Sequence, residues 1–175
     1  MNMRHIAFGA ALFLQITLLA LVPAQHYRPI LFGDTVYLKV QPYDPYDIMR
    51  GYYAVMKYDV AMLPPEWQNE YTPTETPVYV VIEPSDDGRL WNAVAATRTW
   101  PDSISESQRV LKGVYTYNEA YFGIEEFFLP ESQHIEFDEN FREHSDTARA
   151  IVKVDGSGYC VLTGVEINGK LYGRP

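Results

Sequence analysis

The 175-residue chain has one cysteine, Cys160. That excludes an internal disulfide, a Cys-x-x-Cys redox pair and a thiolate zinc cluster. Its four histidines, two of them (His5 and His26) flanking the first apolar run, are too few and too scattered for a dedicated zinc centre. Basic residues are also scarce, 14 Lys+Arg against 23 Asp+Glu, and the net charge of −9 disfavours non-specific binding to nucleic acid or to an anionic lipid surface. The chain contains no Gly-x-Ser-x-Gly elbow, no His-Glu-x-x-His and no phosphate-cradling glycine loop. None of its five lysines stands at a spacing that suggests Ser-Lys chemistry, and no lipid-attachment cysteine follows the apolar run. No catalytic residue, metal centre or cofactor is therefore predicted. With 47% hydrophobic and 21% charged residues, wholesale disorder is excluded as well. The length accommodates one domain, or two small ones.

What the chain does have is a long uncharged run at its start. After Arg4 and His5, no charge occurs from Ile6 to Val22, and only Gln15 and Thr17 interrupt the apolar character. Counted to Ala24, a helix of this run is about 28 Å long, close to the roughly 30 Å hydrocarbon thickness of a bilayer. Two readings compete. A signal peptide has this basic start and small residues near a cut such as Val22-Pro23-Ala24. An uncleaved anchor has a longer apolar core, as here, and Pro23 beside the cut disfavours cleavage. Residues 1–24 are read as an anchor and residues 25–175 as one domain beyond it. The basic start places the amino terminus in the cytoplasm and the domain outside it.

From Asp34 onward the composition is that of strands. Thr35–Val40 is β-branched and aromatic, and Asp44-Pro45 marks a turn. Tyr52–Leu63 alternates, with Ala54, Met56, Tyr58 and Val60 on a core face and Lys57 and Asp59 opposite. Val78–Glu83 and Leu90–Thr99 flank the turn signal Asp86-Asp87-Gly88, and Arg109–Tyr117 is a further strand. Tyr121–Leu129 reads as one strand bent around Gly123, and Phe137 and Phe141, four apart, mark a helix over Glu131–His144. Ala148–Val154 and Tyr159–Ile167 form a hairpin around Asp155-Gly156-Ser157-Gly158, and Asn168-Gly169 turns into a last strand. The expected fold is mainly β: a mostly antiparallel domain with one short helix, preceded by a transmembrane helix.

The acidic excess is local. Residues 119–146 hold nine Asp and Glu against Arg142 alone, a net of −8 out of −10 for the chain from Gln25 on. A solvated helix face explains such a run, and a divalent-cation site is the alternative, although no EF-hand spacing is present. His134 and Asp138, at i and i+4 with Glu131 nearby, are the thin candidates for a metal site. Folding brings distant carboxylates together, so Asp44, Asp47, Glu125 and Glu126 are candidates for acid–base work. The many tyrosines suit sugar stacking, and suit strand and half-buried surface positions better. Cys160 reads as a core filler.

Pro42-Tyr43-Asp44-Pro45 and Met49-Arg50-Gly51-Tyr52-Tyr53-Ala54-Val55-Met56-Lys57-Tyr58 resemble the bacterial GDYXXXLXY family, named for its motif. Leu111-Lys112-Gly113, Tyr121-Phe122-Gly123-Ile124-Glu125, Phe128-Leu129-Pro130-Glu131 and Val152-Lys153-Val154-Asp155-Gly156 extend the resemblance over most of residues 34–170. The motif's Asp is Tyr52 here, its Leu is Met56, and Tyr58 stands one residue early for the motif as spelled with three variable positions. The resemblance implies an extracytoplasmic domain held at a bacterial cytoplasmic membrane by a single helix. It also implies an accessory role beside a polytopic membrane partner, and no established activity. The motif region then supplies the candidate binding residues Asp44, Arg50, Gly51, Tyr53, Tyr58 and Glu125. In it, Gly51 permits a sharp strand entry and Arg50 reaches turn carbonyls or Asp44. A carboxylate-dependent hydrolase or glycan-binding domain of the cell envelope is the alternative function.

Overall fold

The computed structural model describes residues 3–41, 53–63 and 75–173, with the side chains of residues 3–7, 20–26 and Tyr53 outside that description. It begins with a 30-residue helix, α1 (Met3–Phe32), about 45 Å long. Strand β1 (Asp34–Gln41) follows directly, and then β2 (Tyr53–Val55), β3 (Lys57–Tyr58) and a 3-10 turn over Asp59–Ala61. After β4 (Thr76–Pro84) come β5 (Trp91–Thr97), β6 (Arg109–Thr116), β7 (Glu119–Tyr121) and β8 (Glu126–Phe128). Helix α2 (Glu131–His144) then leads to β9 (Arg149–Val154), β10 (Cys160–Ile167) and β11 (Lys170–Gly173). The fold is mainly β, with antiparallel pairing throughout and one short helix after the long one.

Three sheets result: a five-stranded one in the order β11-β10-β9-β1-β3, a four-stranded one in the order β5-β4-β6-β7, and the two-stranded ribbon β2-β8. Val36, Leu38 and Val40 of β1 and Ala150, Val152 and Val154 of β9 form the inner face of the first sheet. They meet Val78, Val80 and Ile82 of β4 and Leu111 and Tyr115 of β6 in a single buried cluster. Each set keeps period two, so a one-residue slip would turn its whole apolar face outward. Helix α2 lies against the end of this core through Phe137, whose ring stacks on Phe141 at 5.8 Å and meets Tyr172 edge-on at 5.1 Å. The predicted bounds of this helix are those observed.

Two expected strands are corrected. Tyr52–Leu63 is not one strand, because its chain crosses between sheets. Tyr53–Val55 pairs with Glu126–Phe128, whereas Lys57 and Tyr58 pair with Gln41 and Val40 of β1. The inward residues are still those expected: Met56, Tyr58 and Val60 are each at most 2% exposed. Tyr121–Leu129 is likewise divided, its first residue ending β7 against β6 and its last part forming β8. Gly123, at φ +79°, stands at the break, in a backbone region where a side chain is strained. Asn168 and Gly169, both at positive φ, make the expected tight turn between β10 and β11.

Among the described residues no helix is long and apolar enough to cross a membrane, so the fold does not establish the expected anchor. Within the longer apolar run of the sequence, the described side chains of α1 are those of residues 8–19. Every one of them is exposed, including Phe8, Phe13 and Leu19 at 67–73%.

Candidate functional site

Of the predicted binding residues, Asp44, Arg50 and Gly51 lie outside the described residues, as does Asp47. Tyr58 and Glu125 are brought together by the crossover of the chain from β2 to β3, and the Tyr53 backbone stands farther along the same ribbon. The backbone of Tyr53 pairs with Phe128, and the ribbon is continued by a hydrogen bond from the Met56 N–H to the Glu125 carbonyl at 2.7 Å. Tyr58 sits next, 1% exposed, and its hydroxyl donates to the Ile124 carbonyl at 2.5 Å. Glu125 turns its carboxylate back on its own loop, where Oε1 accepts the Phe122 N–H at 2.6 Å. These bonds fasten residues 122–125, the loop that carries the positive-φ Gly123, onto the motif strand. Close by, Lys57 bonds the Glu119 carboxylate at 2.6 Å, and the Tyr121 hydroxyl reaches the other Glu119 oxygen at 3.3 Å.

Burial pushes the Tyr58 phenol well above its ordinary pKa, and the nearby Glu125 charge adds to the effect. Tyr58 thus stays a neutral donor inside the fold, unavailable to a ligand. Replacing it with Phe removes the donor and leaves the Ile124 carbonyl buried without it. The expected loss is about 1–2 kcal/mol, read as a lower midpoint in urea with an unchanged slope. An unchanged midpoint would show that the hydroxyl contributes nothing.

Cys160 opens β10 behind this loop, packed against the core, with its Sγ 3.6 Å from the Phe122 carbonyl. Burial, with the charges of Glu125 and Asp155 adding to it, pushes its pKa up to about 12. The thiolate is the reactive form. At pH 8 its population falls roughly a thousandfold below that of an ordinary protein thiol, for a shift of about three units. Maleimide labelling of the native protein should be slowed by a factor on the order of 100 or more relative to the protein in denaturant; equal rates would contradict this environment. The pH sign is also defined. A folded-state pKa above the unfolded one contributes stability that is complete below about pH 9 and is lost as pH rises towards 12.

The acidic residues of 119–146 do not gather. Glu119 is paired with Lys57, Glu125 is bonded to the Phe122 N–H, and Glu136 is bonded to Lys170. His134 Nδ1 lies 2.5 Å from the Glu131 carbonyl in the first turn of α2. Among the described residues no group of three or more His, Cys, Asp or Glu side chains is placed to hold a metal ion. Glu125 is half-buried and bonded within its loop while its neighbour Glu126 is exposed on β8, so these two do not form an acid–base pair.

A second constellation was not anticipated, at the joint between α1 and the β domain. Asp155, in the β9–β10 turn, is 5% exposed. Its Oδ1 accepts from the Ser157 N–H at 2.9 Å, the Ser157 hydroxyl at 2.7 Å and the Tyr159 N–H at 3.2 Å. Its Oδ2 is buried without a hydrogen-bond partner, 3.8 Å from Nε of Arg28 on α1. Lys153 Nζ meets the Gly33 carbonyl at 3.3 Å, and Gly33 closes the helix with an N–H bond to the Pro29 carbonyl at 2.8 Å. The sequence signal for this site is Asp with Ser two residues on, the mark of an Asx turn. It shows a turn and does not reveal that a distant helix end packs against it.

The family model for GDYXXLXY proteins matches residues 15–165, from the middle of α1 to the middle of β10. With two variable positions in the motif, Gly51, Tyr53 and Tyr58 fall in register, and the one-residue offset expected from the longer spelling disappears. Tyr52 and Met56 stand where the motif has Asp and Leu. No curated protein and no solved structure matches the chain. The match covers far more than half of the sequence, and the chain belongs to the GDYXXLXY protein family.

Proposed function

We propose that this protein is a membrane-anchored accessory domain. In this reading α1 spans the bacterial cytoplasmic membrane once, residues 25–175 lie outside the cytoplasm, and the domain binds a neighbouring membrane protein without catalysing a reaction. The observation that carries the reading is α1 itself. Its described side chains from residue 8 to residue 19 are exposed on all sides, and the sequence through them is apolar from Ile6 to Val22. A helix that is apolar all round belongs in a core or in a bilayer, and among the described residues no core covers this stretch. The partner role draws support from the motif ribbon, where Val55 on the motif strand and Phe128 on its partner strand leave 41% and 70% of their surface open. Apolar side chains exposed in pairs on a short ribbon suit contact with another protein.

The test is purification of the full-length protein from its native membrane in mild detergent. A stoichiometric membrane protein should accompany it, and Phe128→Asp should release that companion while leaving the melting temperature within about 2 °C. A protein that runs alone would remove the partner reading.

A further inference from the structure

We propose that the end of the β domain nearest α1 rests on the lipid headgroups, with Trp100 and Tyr159 as interfacial anchors and Lys112 between them. The inference rests on the reading of α1 as a membrane span, and the distances then place the turn. Arg28 lies four residues beyond Ala24, where the apolar run ends, which is about 6 Å along a helix. The headgroup layer on each side of the hydrocarbon is roughly 5–7 Å thick. Arg28 therefore sits at headgroup level, and Asp155 is 3.8 Å from it.

The neighbours of that turn are the side chains found at membrane–water boundaries. Tyr159 is 47% exposed and Trp100 42%. Lys112 Nζ lies 4.8 Å from the centre of the Tyr159 ring and 3.4 Å from its hydroxyl. Gly158 carries the contact between them: a Cβ there would lie 3.1 Å from the Lys112 Cβ and 3.2 Å from the Trp100 ring. A hydrogen bond from the Lys112 N–H to the Gly158 carbonyl at 2.8 Å ties the turn to β6. Tyr and Trp rings with one polar edge, beside a lysine whose alkyl stem lies along apolar surface, favour the headgroup region.

The charge distribution gives the same orientation. Arg28, Arg109, Lys112 and Lys153 gather at this end with the two acids Asp34 and Asp155, whereas the acidic helix α2 lies at the other. β9 and β10 run between the two ends, because α2 leads through Ser145–Thr147 to Arg149 at the far end of β9 from Asp155. Lys170 at the far hairpin tip bonds Glu136 of α2. An anionic leaflet attracts the first end and repels the second. The overall negative charge does not prevent this contact, since the acidic residues of α2 lie at the far end of β9, a six-residue strand roughly 20 Å long.

The test uses the full-length protein in vesicles of phosphatidylcholine and phosphatidylglycerol whose acyl chains are brominated near the headgroup. Tryptophan emission should be quenched relative to unbrominated vesicles, and W100F should lose at least half of the quenchable part. As a second readout on the unaltered protein, hydroxyl-radical labelling of Trp100 and Tyr159 should fall at least threefold on moving from detergent to these vesicles. Labelling of Ile135 on α2, 63% exposed, should not change. A protein that floats with the vesicles but shows neither quenching nor protection at Trp100 would overturn the headgroup contact and leave the anchor standing. A protein that does not float with the vesicles would overturn the anchor reading itself, and this inference with it.

Discussion

Asp155→Ala should lower the melting temperature of the protein by about 10 °C, more than any single surface change. The carboxylate is 5% exposed and organises the β9–β10 turn by accepting three hydrogen bonds, two of them from the backbone N–H groups of Ser157 and Tyr159. Truncation leaves those donors unmet in a part-buried turn and removes the buried carboxylate that fills it, at a cost on the order of 3 kcal/mol in total. For a domain of about 150 residues, each kcal/mol corresponds to roughly 2–4 °C. Asp155→Asn keeps an oxygen able to accept at the Oδ1 position and should lose less than half as much. Arg28→Ala provides the contrast. Arg28 is 65% exposed and 3.8 Å from Asp155, and exposed ion pairs contribute about 0–1 kcal/mol. A calorimetric melt in which Arg28→Ala and Asp155→Ala cost the same would show that the helix contact dominates, contrary to the turn-capping account.

Gly33→Val should detach α1 from the domain without unfolding the sheets. Gly33 links the last turn of the helix to β1, and a Cβ at this position would stand 2.9 Å from the Val154 carbonyl oxygen and closer still to that of Pro29. Both obstacles are backbone, so no side-chain rotation relieves them and the helix end must move. Forcing atoms into such a site costs about 1–3 kcal/mol, which here falls on the joint. The bonds that seat it, Lys153 to the Gly33 carbonyl and Gly33 N–H to Pro29, would be lost together. At about 1.4 kcal/mol for each tenfold change, limited proteolysis between residues 25 and 34 should quicken by roughly tenfold while the domain core stays resistant. Cleavage at the wild-type rate would mean that the joint is not set by this close approach.

Much of the β architecture was legible because period-two burial leaves a clear mark. β1, β4, β9 and β10 lie within two residues of their expected ends, and α2 was marked by the Phe137–Phe141 spacing. The exchange of partners at Met56 was not legible. Alternation reports which face of a strand is buried, and that face runs unbroken from Met56 through Tyr58 while the hydrogen-bonding neighbour changes from β8 to β1. The pairing of Tyr53 with Phe128, 75 positions apart, has no local signature either. The motif tyrosine, Tyr58, was expected in a binding region and is instead a buried donor that fastens the 122–125 loop. In the sequence Asp155 carries only a turn signal and Gly33 carries none, because the partner of each lies on a distant element. Packing of α1 against the β9–β10 turn became visible only in three dimensions.

The central claim is that α1 is a membrane span and that the β domain stands outside the cytoplasm. It is tested most directly by fractionating cells that make the full-length protein, extracting the membranes with alkaline carbonate, and treating intact spheroplasts with protease. The account predicts that the protein stays in the extracted membranes and that protease added outside removes the domain. A protein released by carbonate, or a domain cut only after the cells are broken, would contradict it.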